Sequence, residues 1–281
     1  MNILVTGGSG YIGSRLIPKL LGDGHVVTAL DTMWFGHGYL PTDNENLFVL
    51  KGDVRDELPE GEWDAVLWLA SVSNNDMYPI SETTLLVNSC LQHMGKKFIY
   101  ASSVAVLDPT SDYAKNKLYC EEWLHDKGAV IVRAASVVGY SSNMRFDITL
   151  NRMTHDAYKK GVITVNGGEQ ERTHVHIDDL CDFYRLAVEK AVNGETYTVS
   201  ALSETVLESA KNVAACFAGD IVVDVKPRTD NRSYSVVTGN NMGWTPKRSV
   251  WDGVGDIISR FDSGLWKDTS DEILWRINRT I

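Results

Sequence analysis

Gly7, Gly10 and Gly13 stand three residues apart, directly after a short apolar run at 3–6 and directly before a stretch in which Ile12, Leu16, Leu20 and Leu21 share one helical side. A strand that turns into a helix within so few residues needs glycine for the tight backbone. A helix N-terminus reached this way also lets the backbone approach a pyrophosphate, with N–H groups and a partial positive charge to hold it. A plain strand–helix turn uses glycine too, so the context decides. A second β-rich run, 26–30, leads to Asp31, 18 residues after Gly13. That is where the carboxylate that accepts from a ribose 2′-hydroxyl belongs. A carboxylate there would repel a 2′-phosphate, so the pattern predicts NAD rather than NADP; a solvated strand-end Asp is the competing reading. Gly52-Asp53-Val54 closes a third run and makes Asp53 and Val54 candidate adenine contacts, with a simple turn Asp as the alternative. Tyr11 and Ile12 within the turn, and Ala70 at the end of a fourth run, complete the expected cofactor lining.

Short apolar runs at 3–6, 26–30, 47–51, 65–70, 97–101 and 130–133 are separated by helical spacing at 11–21, 83–93 and 113–125. Such alternation gives βαβ units and a parallel sheet. The expected fold class is α/β, a Rossmann-type doubly wound parallel sheet with a smaller C-terminal substrate-binding lobe. Beyond residue 140 the pattern loosens into a helix at 147–160, a short strand at 163–165 and a long helix at 177–191. The tail carries turn signals at Lys226-Pro227 and Thr245-Pro246 and several tryptophans, which are expected to pack the lobe. The expected division is residues 1–165 for the cofactor-binding domain, with 173–200 returning to it, and 166–281 mainly for the mixed lobe.

The formal net charge is -10, from 27 basic and 37 acidic residues. A duplex nucleic-acid binder needs a basic face, so no nucleic-acid partner is expected. One arginine and a few backbone N–H groups can still hold a phosphate locally. Cys90, Cys120, Cys181 and Cys216 lie far apart with no CxxC pair, so free thiols and no metal site are predicted. No run reaches the roughly 18 apolar residues of a membrane span, and no charged segment precedes an apolar leader. A cytoplasmic location without a membrane partner is the expectation.

The run ending at Ser102-Ser103 is followed, ten residues after Ser103, by Tyr113-Ala114-Lys115-Asn116-Lys117. Residues 113 and 117 share one face of a helix. A phenol titrates near pH 10, and a neighbouring ammonium favours its ionised form. Tyr113 is therefore a candidate base, Lys117 its electrostatic partner and a second contact to the cofactor, and Ser103 the group that holds a substrate hydroxyl. An isolated YxxxK is usually a solvated helix pair; here it follows a glycine turn and a serine-ended strand in the required order.

TGGSGYIG at 6–13, Asp31, GDVRD at 52–56, YASS at 100–103 and YAKNK at 113–117 resemble the extended short-chain dehydrogenase/reductases. Within these the sequence is most similar to the NAD-dependent epimerase/dehydratase group that works on nucleotide sugars. The similarity continues in MRFD at 144–147 and GGEQERTHVHIDD at 167–179, and covers roughly residues 1–200. It implies catalytic roles for Ser103, Tyr113 and Lys117, and a diphosphate contact for Arg172, whose guanidinium fork suits that job. A surface ion pair with Glu169 or Glu171 is the alternative for Arg172. Arg145 is a second candidate for the same anionic group. His174 and His176 alternate like strand residues and are expected to be structural. Three positions depart from the family pattern: the 103–113 segment is short, Trp68 stands where histidine is usual, and Ser136 stands where a substrate-touching asparagine is usual.

The resemblance implies an NAD-dependent nucleotide-sugar epimerase acting at C4 through a transient ketone. A 4-dehydrogenase or 4-ketoreductase is the alternative. A 4,6-dehydratase fits less well, because Val104 and Ala105 follow Ser103 where the dehydratases carry an Asp-Glu pair. A redox sensor that binds NAD without catalysis would be expected to lack the tyrosine or lysine. A homodimer is expected, with Leu118, Trp123 and Leu124 as candidate apolar contacts or, alternatively, as monomer core.

Overall fold

The computed structural model describes every residue except 37, 57, 72–95, 229–232, 237–240, 267, 271 and 276–281. The expected helix at 83–93 and Cys90 lie outside the described residues.

Seven parallel strands form the main sheet, in the order β10-β6-β5-β4-β1-β2-β3. They are β1 (Asn2–Thr6), β2 (Val26–Asp31), β3 (Leu47–Lys51), β4 (Ala65–Trp68), β5 (Phe98–Ser103), β6 (Val130–Ala134) and β10 (Thr196–Val199). The central strands are apolar along their whole length because both faces are covered; Ile3, Leu4 and Val5 are completely buried. From β1 the chain moves outward to β2 and β3, and then crosses to β4 on the other side of β1. The order therefore reverses between β1 and β4. At such a switch point the loops leaving the strands part and open a crevice at their carboxyl ends.

Helix α1 (Gly13–Gly22) buries Leu16, Ile17, Leu20 and Leu21 against the sheet. It starts two residues later than its apolar spacing suggests, because Gly10, Tyr11 and Ile12 are used by the turn. Helix α2 (Asp112–His125) is capped by Ser111, whose side chain accepts from the Ala114 N–H at 3.2 Å. Helix α3 (Thr149–Lys160) begins after Asp147 rather than at it, since Ile148 is extended and Asp147 is held by Arg145. Helix α4 (Ile177–Lys190) packs beside α1, and Arg15 binds Asp178 through two hydrogen bonds of 2.8 Å across that contact.

Two small sheets stand beside the main one. β7 (Ser136–Val138) pairs in parallel with β9 (Glu171–His176), which pairs antiparallel with β11 (Leu202–Thr205). β8 (Val162–Asn166) pairs in parallel with β12 (Val222–Lys226). Helices α5 (Val206–Ala215) and α6 (Val250–Asp262) pack on α3 and, with β7 and β8, enclose a second core around Val138, Leu150, Ile163 and Val254. The late tryptophans pack as expected. Trp244 meets Phe183 edge-on at 5.6 Å, Trp266 meets Phe146 at 5.2 Å and Trp275 meets His155 at 4.7 Å.

Leu124 is completely buried and packs with Cys120, Ala129 and Ile131 in the monomer core, so it is not an interface residue. Trp123 and Tyr119 of the same helix are 36% and 47% exposed. Trp68 is also core, 5.8 Å from Phe98, and does not reach the crevice.

Candidate active site

A cleft of about 900 Å³ lies over the carboxyl ends of β1, β2, β4, β5 and β6. Every residue expected at a site lines it: Gly7, Gly10, Tyr11, Ile12, Gly13, Asp31, Asp53, Val54, Ala70, Ser103, Tyr113, Lys117, Arg145 and Arg172.

At one end is the glycine turn. The Gly7 N–H donates to the Leu30 carbonyl at 2.8 Å and the Gly10 N–H to the Gly7 carbonyl at 3.0 Å. Gly7 has φ +70°, and a Cβ there would lie 2.8 Å from the Ala70 backbone nitrogen. A Cβ on Gly13 would lie 2.4 Å from the Gly8 carbonyl oxygen. Both positions thus require glycine for space, as a backbone cradle for a pyrophosphate does. The Asp31 carboxylate steadies this end, accepting from the Ser9 N–H at 3.0 Å and the Met33 N–H at 2.7 Å. At the same end Arg55 grips both oxygens of Asp53, at 2.9 and 2.6 Å. Burial works to raise the Asp53 pKa, but the Arg55 hydrogen bonds outweigh it and hold the carboxyl below its ordinary value.

The turn is tied to the segment that follows β7. The Tyr11 hydroxyl donates to the Gly139 carbonyl at 2.6 Å and accepts from Asn151 at 3.1 Å. Asn143 donates to the Ser9 carbonyl at 2.6 Å. Asn143 also lines the cleft; no motif marked it in the sequence.

At the other end Ser103, Tyr113 and Lys117 converge. Ser103 is the last residue of β5, and Tyr113 and Lys117 lie one turn apart on α2. The Ser103 hydroxyl and the Arg145 charge both act on the Tyr113 phenol: burial raises its pKa, and these two polar neighbours pull it back down. Lys117, almost fully buried, donates to the Ala101 carbonyl at 2.7 Å, with its ammonium 5.9 Å from the centre of the Tyr113 ring. Arg145 is thus a cation acting on Tyr113 that the helical spacing could not reveal. Burial opposes the charge of Arg145, but Asp147 more than offsets this and keeps it protonated. The two side chains meet at 3.0 and 2.5 Å.

Arg172 enters the cleft from β9. Its guanidinium donates to the Glu171 carbonyl at 2.8 Å and lies 5.1 Å from the centre of the Tyr234 ring. His174 and His176 follow on the same strand and are buried, as expected of structural residues. The His176 Nδ1 caps α4 by accepting from the Asp178 N–H at 3.0 Å. Among the described residues no three His, Cys, Asp or Glu side chains group as a metal site. No helix among them is long and apolar enough to cross a membrane.

Burial, and secondarily the charge of Arg172, lowers the His174 pKa from 6.5 to about 4. The folded chain therefore excludes a proton that the unfolded chain accepts below pH 6.5. Stability is complete above that value and falls as the pH drops from 6.5 towards 4, by up to about 3 kcal/mol. Thermal melts of the wild type and His174→Gln between pH 7 and 4.5 are expected to show a shallower acid decline in the variant. Parallel declines would remove His174 from this account.

Comparison with known proteins agrees with this layout. The model of the NAD dependent epimerase/dehydratase family matches residues 3–200. The chain belongs to this family. It is accordingly an enzyme of the NAD-dependent nucleotide-sugar epimerase and dehydratase group, and NAD is its cofactor. The UDP-glucose 4-epimerase of Lactobacillus helveticus is 26% identical, over 92% of this chain and 95% of that protein. The UDP-glucuronic acid decarboxylase 1 of Danio rerio is 22% identical, over 97% and 75%. Among solved structures, a dTDP-glucose 4,6-dehydratase from Streptomyces venezuelae with NAD bound superposes with a TM-score of 0.81 at 21% identity, over 95% of this chain and 99% of the other. The UDP-glucuronic acid 4-epimerase from Bacillus cereus, in complex with UDP-glucuronic acid and NAD, gives 0.78 at 20%, over 94% and 99%.

Proposed function

We propose that the chain is a nucleotide-sugar 4-epimerase that works through a transient 4-keto sugar, with UDP-sugars as its substrate class. The observation that carries this reading is the convergence of Ser103, Tyr113 and Lys117 at one end of a cleft whose other end is the glycine turn. In this reading Gly7, Gly10, Tyr11, Ile12, Gly13, Asp31, Asp53, Val54 and Ala70 hold the dinucleotide. NAD, when bound, supplies an acceptor for the hydride of sugar C4 and returns it. Ser103 holds the sugar hydroxyl against the Tyr113 oxygen. Tyr113 takes the hydroxyl proton and later gives it back, with the charges of Arg145 and Lys117 favouring its ionised form. Lys117 also holds the cofactor ribose.

Dehydration needs a further acid and base beside the sugar. Val104 and Ala105, in the short 3-10 turn after Ser103, move no protons. The two sequence relatives described above are UDP-sugar enzymes, which supports uridine over other nucleotides. Tyr119 and Trp123, exposed on α2, support a homodimer through that helix. A cytoplasmic enzyme, with residues 1–165 and 173–200 serving the cofactor and 166–281 mainly the sugar nucleotide, completes the reading.

The test is proton NMR of the purified protein with catalytic NAD and a panel of UDP-, GDP-, CDP- and dTDP-sugars. A new anomeric signal without net NADH is the expected result. NADH rising in step with a keto-sugar would replace the reading with a dehydrogenase. Arg172→Ala is expected to raise KM for the nucleotide sugar about 10- to 100-fold, the worth of a charge-assisted hydrogen bond, with the NAD affinity unchanged. Equal loss of both affinities in titrations would remove the diphosphate role.

A further inference from the structure

We propose that Trp266, Leu274 and Trp275, near the end of the chain, form a clasp that positions Arg145 beside Tyr113 and so acts on proton transfer from outside the cleft, an inference that rests on the epimerase reading above. Arg145 and Asp147 both line the cleft, whereas Phe146 between them is completely buried and does not. The two cleft residues are therefore only as fixed as the residue that joins them.

Phe146 is fixed from the far end of the chain. Its N–H donates to the Leu274 carbonyl at 2.7 Å. Its ring stacks on Phe261 at 5.6 Å, meets Trp266 edge-on at 5.2 Å and lies 5.9 Å from Trp275, distances at which aromatic pairs attract. Trp275 stands edge-on to His155 at 4.7 Å, and its indole N–H donates to the Thr269 carbonyl at 2.9 Å. The Thr269 hydroxyl lies 2.9 Å from the His155 Nε2, so the tail is tied back to α3 beside Phe146. Trp266, Leu274 and Trp275 do not line the cleft. Their influence on turnover must pass through residues 145–147.

What the clasp secures is the place of a charge. A guanidinium rides on a long side chain with much rotamer freedom to lose. Here Asn151 holds the Arg145 carbonyl at 3.0 Å, Asp147 holds the guanidinium, and the clasp holds the residue between. The pull of a cation on a phenol weakens with distance, so a slack segment weakens it. Among the described residues, Arg145, Lys117, the Ser103 hydroxyl and the buried phenol of Tyr184 act on or face Tyr113. Asp147, Tyr11 and Tyr113 act on Arg145. Lys117 is carried by α2 and tied to Ala101, away from the clasp; Arg145 is the cation that the clasp governs.

The test is the pH dependence of kcat on the full chain, with a nucleotide sugar that the wild type turns over, for Trp275→Ala, Arg145→Gln and the double variant. Melting temperature and NAD affinity are measured beside it. Weakening a cation next to a phenol moves its ionisation to higher pH. Trp275→Ala is expected to shift the acid limb of kcat upward by about half a pH unit or more, about threefold in kcat below the limb, with NAD affinity within about twofold of wild type. Arg145→Gln is expected to shift it further. The double variant is expected to match Arg145→Gln, because the clasp then has no cation to position. Trp275→Phe, which keeps a ring, is expected to restore the limb, and Trp275→Leu takes the place of the alanine variant where that one does not fold. An unmoved limb in the Trp275 variant would overturn the clasp, and so would a shift of the same size with and without Arg145. A wild type that turns over no nucleotide sugar would instead overturn the epimerase reading and the clasp together.

Discussion

Tyr113→Phe is expected to lower kcat by about 10²- to 10⁴-fold, the usual contribution of a positioned proton-transfer group, while NAD still binds with wild-type affinity. The substitution removes one oxygen and leaves the ring, so α2 and the cleft wall keep their packing. What is lost is the oxygen on which the Ser103 hydroxyl and the charge of Arg145 act. These influences are opposed in the structure. Burial raises the phenol's pKa and therefore disfavours the ionised form, and the two neighbours work against that rise. Weakening the cation should then move the pH limb of turnover without abolishing it. Stopped turnover of the nucleotide sugar, measured beside a calorimetric NAD titration, checks the prediction. A variant that retains a tenth or more of wild-type kcat would show that Tyr113 is not the proton carrier.

Gly13→Ala is expected to remove NAD binding almost entirely, raising Kd at least about 100-fold. The added Cβ would sit 2.4 Å from the Gly8 carbonyl oxygen, 2.6 Å from that of Gly7 and 2.7 Å from the Gly8 carbonyl carbon. All three are backbone atoms, so no flexible side chain can give way, and the turn must open. Crowding of this kind costs about 1–3 kcal/mol or more, and about 2.7 kcal/mol already corresponds to 100-fold in affinity. Gly10 supplies the internal comparison. A Cβ there meets only the Gly7 carbonyl oxygen, at 3.1 Å, so Gly10→Ala should bind NAD markedly better than Gly13→Ala. Equal affinities in the two variants would mean that the turn is not shaped as described.

The core of the sheet was legible because its strands are short, apolar and punctuated by glycines, and because βαβ order leaves few arrangements. Residues 1–31 alone carry strand, turn, helix, second strand and the strand-end carboxylate of Asp31 in one stretch. The proposed catalytic set was legible for a related reason: Tyr113 and Lys117 lie on one helix, where a spacing of four fixes a shared face. Contacts between distant segments were not. The pull of Arg145 on Tyr113 joins residues 32 positions apart, and the Tyr11–Gly139 hydrogen bond joins residues 128 apart. Helical amphipathicity left Leu124 open between core and interface, since α2 is covered on one side by its own sheet and the apolar spacing does not say which apolar residues face it. Asp53 could be placed in the cleft from its position after β3, but its capture by Arg55, two residues on, depends on a turn geometry that the sequence does not spell out.

In the proposed reaction hydride leaves sugar C4 and returns to it within one cleft. The most direct test uses a nucleotide sugar that turns over, deuterated at C4, with the enzyme, catalytic NAD and ordinary water. The account predicts a C4 epimer that keeps its deuterium at C4, with no net NADH. Deuterium washed out into solvent, or lost to the cofactor pool as keto-sugar accumulates, would contradict it.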